Sequence, residues 1–226
     1  MRKEEAEWIY KAIQKHLLSN NVETSLTALN LGCGTKASRE KSKPYIHKLT
    51  IAPLLKNNYE VIHSDIIQAD GVDLCGDIFE PDFIDQLTTL KPDLIFFCNI
   101  FEHLPKEKRE KIPLILDQIL KSNGHILITT PKSYPYHADP IDTMYRPNAI
   151  ELSNLFPRYE ILESAEVSCG SYLDEIKSAP KIRILKKILR LLIPFVRPKR
   201  WLSHAHRFTW IFRDYQISCV LLKKQI

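Results

Sequence analysis

Residues Leu29–Gly34, reading Leu-Asn-Leu-Gly-Cys-Gly, constrain the fold more than any other stretch. A short apolar run (Thr27, Ala28, Leu29, Leu31) ends in two glycines one residue apart, as a buried strand does when it stops abruptly and turns tightly under a ligand. Glycine lets backbone N–H groups approach a small molecule with no Cβ in the way. Gly32 and Gly34 are therefore candidates for cradling a nucleotide-like cofactor at the carboxyl edge of a parallel sheet. An ordinary glycine turn reads the same way, and Gly-x-Gly alone does not separate the two.

The flanking sequence supplies strands alternating with helical segments. Trp8, Ile9, Ala12, Ile13, Leu17 and Leu18 recur at helical spacing, which predicts a helix within 3–18 covering one edge of the sheet. Pro44 and Pro53 interrupt the helix expected to follow the glycine loop. Tyr59–His63 predicts a second strand that ends at Asp65. A carboxylate there can accept hydrogen bonds from both hydroxyls of a ribose, or it is a solvated loop aspartate. Gly71–Ile78 predicts a short third strand closing on Asp77. Asp77 suits an adenine amino group with Ile78 packing on the ring, or it caps a helix near Asp82–Leu90.

Asp93–Cys98 is the most continuous apolar run bounded by turn signals, and it predicts a central strand of a parallel sheet. It delivers Asn99, Phe101, Glu102 and His103 to the same edge as the glycines. A helix is expected from Lys106 to Lys121, kinked or restarted by Pro113, and Ser122-Asn123-Gly124 turns the chain into a strand at His125–Thr130. Pro147–Phe156 reads as a helix, with Tyr159–Ser168 and Gln216–Lys223 as the sixth and seventh strands. This alternation implies a doubly wound α/β sheet.

The 226 residues, 44% of them hydrophobic, suit one domain spanning 1–226 with an insertion over about 170–213 better than two domains. Five widely spaced cysteines without Cys-x-x-Cys suggest reduced thiols in a cytoplasmic protein rather than disulfides or a zinc site. The first residues mix Arg2, Lys3, Glu4, Glu5 and Glu7, unlike a signal sequence. No segment reaches the roughly 18 uninterrupted apolar residues of a membrane span.

With these residues in place, the chain resembles class I S-adenosylmethionine-dependent methyltransferases over roughly residues 27–165. Leu-Asn-Leu-Gly-Cys-Gly-Thr resembles that family's glycine-rich motif, and Asp65 matches its acidic ribose ligand. Gly-Val-Asp-Leu-Cys-Gly-Asp-Ile resembles the adenine-contacting motif. Asp-Leu-Ile-Phe-Phe-Cys-Asn-Ile-Phe-Glu-His-Leu resembles the fourth strand and its sequel, and Leu-Lys-Ser-Asn-Gly-His-Ile-Leu-Ile-Thr-Thr-Pro the segment entering the fifth.

The resemblance implies a Rossmann-like, mostly parallel seven-stranded sheet with an antiparallel last strand and a basic helical insertion before it. It implies S-adenosyl-L-methionine as cofactor, held by Asn30, Gly32, Cys33, Gly34, Asp65, Ile66, Asp77, Ile78, Asn99, Phe101 and His103. Two departures stand in the motif: Asn30 where an acidic residue is usual, and Lys36 in place of the common third glycine.

Such chemistry needs polar groups after the fourth and fifth strands, and Pro131–Pro147 supplies them. His137 is the expected general base, oriented by Asp139 or Asp142, with Arg146 holding an anionic substrate group. The same residues could instead form an internal network that pins a proline-rich loop over the cofactor. His103 competes as base. No metal is expected, since His137, Asp139 and Asp142 lack a second histidine nearby in sequence.

About 45 residues separate the sixth and seventh strands, long for a connection without a purpose. Within 181–200 lie eight Lys and Arg and no Asp or Glu, although the whole chain carries only +5. On a helical wheel of about 100° per residue the cations of Lys181–Ile193 share one arc and aliphatics fill the rest. A basic amphipathic helix followed by Trp201 and further aromatics suits an anionic membrane surface, with peripheral attachment at its inner face. A helix buried on the sheet or a dimer contact would show the same pattern. The expected acceptor is an oxygen or nitrogen of a small or lipid-linked molecule, a surface glycan precursor among the candidates. Nucleic acid is disfavoured because the patch is aliphatic-rich and lacks a base-stacking surface. The alternatives are a nicotinamide-dependent oxidoreductase and a non-catalytic binding module at the membrane.

Overall fold

A computed structural model describes residues 1–18, 25–137, 141–178, 201 and 206–225. The amphipathic segment 181–193 and Asp139 lie outside the described residues.

Seven strands form one sheet in the order β3-β2-β1-β4-β5-β7-β6. They are β1 (Leu26–Leu31), β2 (Tyr59–Asp65), β3 (Leu74–Cys75), β4 (Leu94–Cys98), β5 (His125–Ser133), β6 (Tyr159–Ser171) and β7 (Asp214–Lys224). The first five run parallel, while β7 is antiparallel to both β5 and β6. The chain therefore reverses its order between β1 and β4, and in such sheets ligands bind beyond the carboxyl ends of the strands at that crevice.

The central strands are apolar throughout because both faces are covered. Leu29, Leu31, Ile95, Phe97, Ile126, Ile128, Val220 and Leu222 meet Phe83 and Leu87 of α4 (Pro81–Thr89) and Ile112, Leu116 and Ile119 of α6 (Ile112–Ile119). On the other face Ala28, Leu94, Phe96, Leu127 and Leu221 meet Ile9, Ala12 and Ile13 of α1 (Lys3–His16). The first helix is thus packed across a face rather than along the expected edge. Its Ile9 and Ile13, four residues apart on one stripe, fit over the middle strands.

Three short pieces, α2 (Pro44–Ile46), a π-helical turn His47–Ile51 and α3 (Ala52–Leu55), occupy the segment broken by Pro44 and Pro53, after another π-helical turn at Ser38–Ser42. The expected restart at Pro113 is seen: α5 (Lys106–Arg109) stops and α6 begins one residue before the proline. Proline costs nothing there because the first helical N–H groups have no partner in the helix. Helix α7 (Ala149–Ser153) starts later than expected, because Asn148 caps it by accepting from Glu151 N while the Glu151 carboxylate accepts from Asn148 N, both at 2.9 Å. Glu80, not Asp77, is the N-cap of α4. Strand β5 outruns its expected end at Thr130, with a register shift between Pro131 and Ser133 where proline has no N–H to donate. Helix α8 (Tyr172–Ser178) follows β6. Among the described residues no helix is long and apolar enough to cross a membrane.

Candidate functional site

A cavity of about 820 Å³ opens at the carboxyl edge of the sheet. Asn30, Gly32, Cys33 and Gly34 line one wall, Asn99, Glu102 and His103 a second, and Tyr134 and His137 close the far end. The segment Met1–Glu5, with Arg39 and Tyr45, completes it.

Gly32 and Gly34 both adopt left-handed backbone, at φ +63° and +62°, which favours glycine. A Cβ at Gly32 would come within 2.9 Å of Ile100, whereas a Cβ at Gly34 would meet no protein atom within 4 Å and would stand in open cavity. The loop is fixed from outside. Gly34 N donates to Asp65 Oδ2 at 2.8 Å and Cys33 N to Ser64 O at 3.1 Å. Buried Arg39 donates to the carbonyls of Cys33, Gly34 and Gly71 at 3.0, 2.8 and 2.8 Å. Burial pushes the Cys33 thiol up to about 11, against the pull of Arg39. Asn30 donates its amide to His63 Nδ1 at 3.1 Å, leaving its carbonyl oxygen as the group it can offer. Burial, with Arg39 nearby, lowers His63 to about 4, so its ring is neutral and can accept.

Asp65 ends β2 and Asp77 follows β3, and neither lines the cavity. Asp65 Oδ1 accepts from Ile67 N at 3.1 Å while Oδ2 braces the loop. Asp77 Oδ1 accepts from Phe79 N at 3.0 Å, and Oδ2 lies 3.5 Å from Lys108 Nζ. Ile66 is 63% exposed beside them, an apolar surface free to pack on a flat ring, and Ile78 leans on the core. Phe101 departs from its expected role. It is fully buried edge-on against Phe97, with centroids 5.0 Å apart, and is a core residue rather than a cavity wall. The 3₁₀ turn Phe101–His103 sends successive side chains in different directions, so Glu102 and His103 face the cavity while Phe101 faces inward.

At the far end, side chains of the 131–147 loop form an internal network. Asp142, buried, accepts from Arg146 Nη2 at 2.6 Å, from His137 N at 3.0 Å and from Met144 N at 2.8 Å. Burial alone would raise its carboxyl, but these donors hold it at about 2. Its Oδ2 also lies 3.2 Å from His137 Nδ1, so Asp142 stands behind the histidine. Arg146 is committed to Asp142 and to the Tyr145 carbonyl and does not line the cavity. It therefore positions Asp142, in place of the expected grip on a substrate anion. Thr143 donates through N and Oγ1 to the Glu102 carbonyl at 2.8 and 2.9 Å, clamping this loop onto the turn after β4. Burial lowers the His137 ring; Asp142 opposes this, and His103 and Arg146 reinforce it.

Sequence reasoning missed two residues, Arg39 and Glu5, and brought a third, Glu102, to the site edge without giving it a role. Arg39 was hidden in a lysine-rich stretch, and only its burial reveals it. Glu5 on α1 is fully buried and accepts from Asn99 Nδ2 at 2.7 Å and Thr129 Oγ1 at 2.6 Å. It ties the first helix to the ends of β4 and β5, and a glutamate on the apolar stripe of a helix was the available signal. Glu102, fully buried, keeps one carboxylate oxygen without a hydrogen-bond partner. Burial pushes its carboxyl above the usual range, opposed by its own backbone hydrogen bond and by His103.

No family model and no curated protein matches the sequence. Solved structures do. The [4+2]-cyclase SpnF superposes with a TM-score of 0.61 at 12% identity, covering 98% of this chain and 81% of its own. A putative sarcosine dimethylglycine methyltransferase from Galdieria sulphuraria gives 0.57 at 16% identity, covering 97% and 84%. The 1,6-didemethyltoxoflavin-N1-methyltransferase of Burkholderia thailandensis, crystallised with 1,6-didemethyltoxoflavin and S-adenosylhomocysteine, gives 0.51 at 12% identity, covering 98% and 79%. The chain thus has the fold of the class I S-adenosylmethionine-dependent methyltransferases, with the seven-stranded, mostly parallel sheet expected. A cyclase among the neighbours shows that the fold alone does not fix the reaction.

Proposed function

We propose that the chain is an S-adenosylmethionine-dependent methyltransferase acting on an oxygen or nitrogen of a small or lipid-linked acceptor. The glycine cradle carries this reading: Gly34 has no protein atom where a side chain would stand, while its N–H is hydrogen-bonded to Asp65 at 2.8 Å. Asn30 adds a carbonyl oxygen suited to an ammonium group. Asp65 retains acceptor capacity for ribose hydroxyls, and Ile66 and Asp77 suit an adenine on the same side. When bound, S-adenosylmethionine supplies an electrophilic methyl carbon on a sulfonium, so the protein's tasks are alignment and proton removal. His137, backed by Asp142, is the residue proposed to take the acceptor's proton. Asp139, outside the described residues, is the alternative proposed to orient His137.

Calorimetric titration with S-adenosylhomocysteine tests the reading, with saturable binding expected and lost in Asp65→Ala. No heat at millimolar ligand, or a response to a nicotinamide dinucleotide instead, refutes it. The lipid-linked acceptor, such as a surface glycan precursor at the inner face of a membrane, rests on the basic pattern of 181–201. Flotation with anionic liposomes tests that part separately, and absence from the lipid fraction at low salt rejects it.

A further inference from the structure

Glu102, His103 and His137 converge at the acceptor end of the cavity, each offering one ligand atom, and these atoms all lie within 4.8 Å of one another. The second histidine that the sequence did not place beside His137 is His103, whose ring sits edge-on to it with centroids 5.5 Å apart. We propose that these three side chains bind a divalent first-row transition-metal cation, with at least one coordination position open to the cavity.

Three observations support the site independently of the glycine cradle. First, Glu102 Oε1 is buried with no hydrogen-bond donor, its side chain 1% exposed, and it faces His103 Nε2 at 3.8 Å. The Nδ1–H of His103 donates to the Ile141 carbonyl, which leaves Nε2 as the ring nitrogen facing Glu102. Glu102 Oε1 and His103 Nε2 thus face one another as two potential ligand atoms. Second, the Nδ1 of His103 is hydrogen-bonded to Ile141 O, and Asp142 Oδ2 lies 3.2 Å from His137 Nδ1 without hydrogen-bond geometry. Metal-bound histidines almost always carry such a partner, which fixes the ring and leaves Nε2 to the metal. Third, Glu102 is anchored by its other oxygen, which accepts from Thr130 Oγ1 at 3.3 Å, and by its carbonyl, which Thr143 clamps.

Two nitrogens and one carboxylate oxygen suit Zn²⁺, Fe²⁺ or Co²⁺ and disfavour Mg²⁺ and Ca²⁺, which take oxygen ligands. Bonds of about 2.0–2.2 Å require ligand atoms roughly 3.3 Å apart in a tetrahedral site. The ligand atoms, which lie within 4.8 Å of one another, have to draw together on binding. Three protein ligands with a vacant position is the pattern of catalytic rather than structural sites. On the methyltransferase reading, on which this last point rests, the open position faces the acceptor, and His137 is a ligand rather than the base whenever the cation is bound. The acceptor class is then one that presents a hydroxyl or carboxylate oxygen to the cation.

The test uses the tag-free full chain, treated with chelator and titrated with Co²⁺ alone. Expected are saturation at about one ion per chain, visible bands of nitrogen-ligated Co²⁺, displacement by Zn²⁺, and no competition from excess Mg²⁺. Glu102→Gln and His137→Ala should each weaken Co²⁺ at least about tenfold, while His125→Gln leaves it unchanged. His137 is half-buried on a loop, so its variant serves if Glu102→Gln fails to fold by circular dichroism. Absence of saturable Co²⁺ binding, or unchanged binding in the folded His137→Ala variant, overturns the site. S-adenosylhomocysteine is titrated into the same samples. Co²⁺ binding without it sinks the methyltransferase reading and keeps the metal site, and the converse does the opposite.

Discussion

Substituting Gly34 by alanine separates a cost to the fold from a cost to ligand binding. Alanine at φ +62° sits in left-handed backbone, which costs an L-residue about 1–2 kcal/mol. No further penalty is expected, because the new Cβ touches no protein atom within 4 Å. Urea unfolding should therefore show a loss of about that size with an unchanged m-value. The methyl group projects into the cavity that the cofactor is proposed to fill. The dissociation constant for S-adenosylhomocysteine should rise at least about tenfold, or about 1.4 kcal/mol. Calorimetry on the folded variant at a temperature well below its midpoint gives the second number. An unchanged dissociation constant would refute the placement of the cofactor against this loop. A stability loss above about 4 kcal/mol would refute the claim that the space is open, since overpacking rather than backbone strain would be required.

Arg39→Met removes three buried hydrogen bonds from a charged donor, so urea unfolding should show a loss of roughly 3–5 kcal/mol, with weaker S-adenosylhomocysteine binding by calorimetry. Glu5→Ala strands Asn99 and Thr129 and should cost about 2–4 kcal/mol in the same assay, with Glu5→Gln milder because one acceptor oxygen remains. Burial, with Lys223 next, lowers His125 to about 4, as burial and Arg39 lower His63. The unfolded chain then binds more protons below about pH 6.5 than the folded one. Stability is fully present above that pH and falls as pH drops towards 4, by about 1–3 kcal/mol per histidine after allowing for partial exposure. His125→Gln should flatten part of that slope in urea titrations at a series of pH values; an unchanged slope would contradict it.

The strands were legible because both faces of the sheet are covered, leaving apolar runs such as Leu94–Phe97 with no polar alternation to misread. The glycine cradle was legible because it needs glycine at fixed positions. What escaped the sequence depends on contacts across long separations. His103 and His137 are brought together only when Thr143 clamps its loop to Glu102, and nothing local to either histidine encodes that meeting. Arg39 looks like one more cation in a solvated stretch until the fold buries it. Phe101 and Arg146 carried motif-like surroundings, yet the 3₁₀ turn aims the first into the core and Asp142 claims the second.

Glu5 and Thr129 are 124 residues apart in the chain, and Arg2 pairs with Glu175 across 173. Closing loops of that length is an entropic cost met late in folding, once nearer contacts have reduced the search. The glycine loop and its braces from Arg39 and Asp65 span far shorter separations. A chain folded only through β4 would thus own the cradle but not the wall opposite it. Ligand binding consequently reports whether the glycine loop has met the wall built after β4 and β5, which makes S-adenosylhomocysteine a probe of that assembly as well as of function.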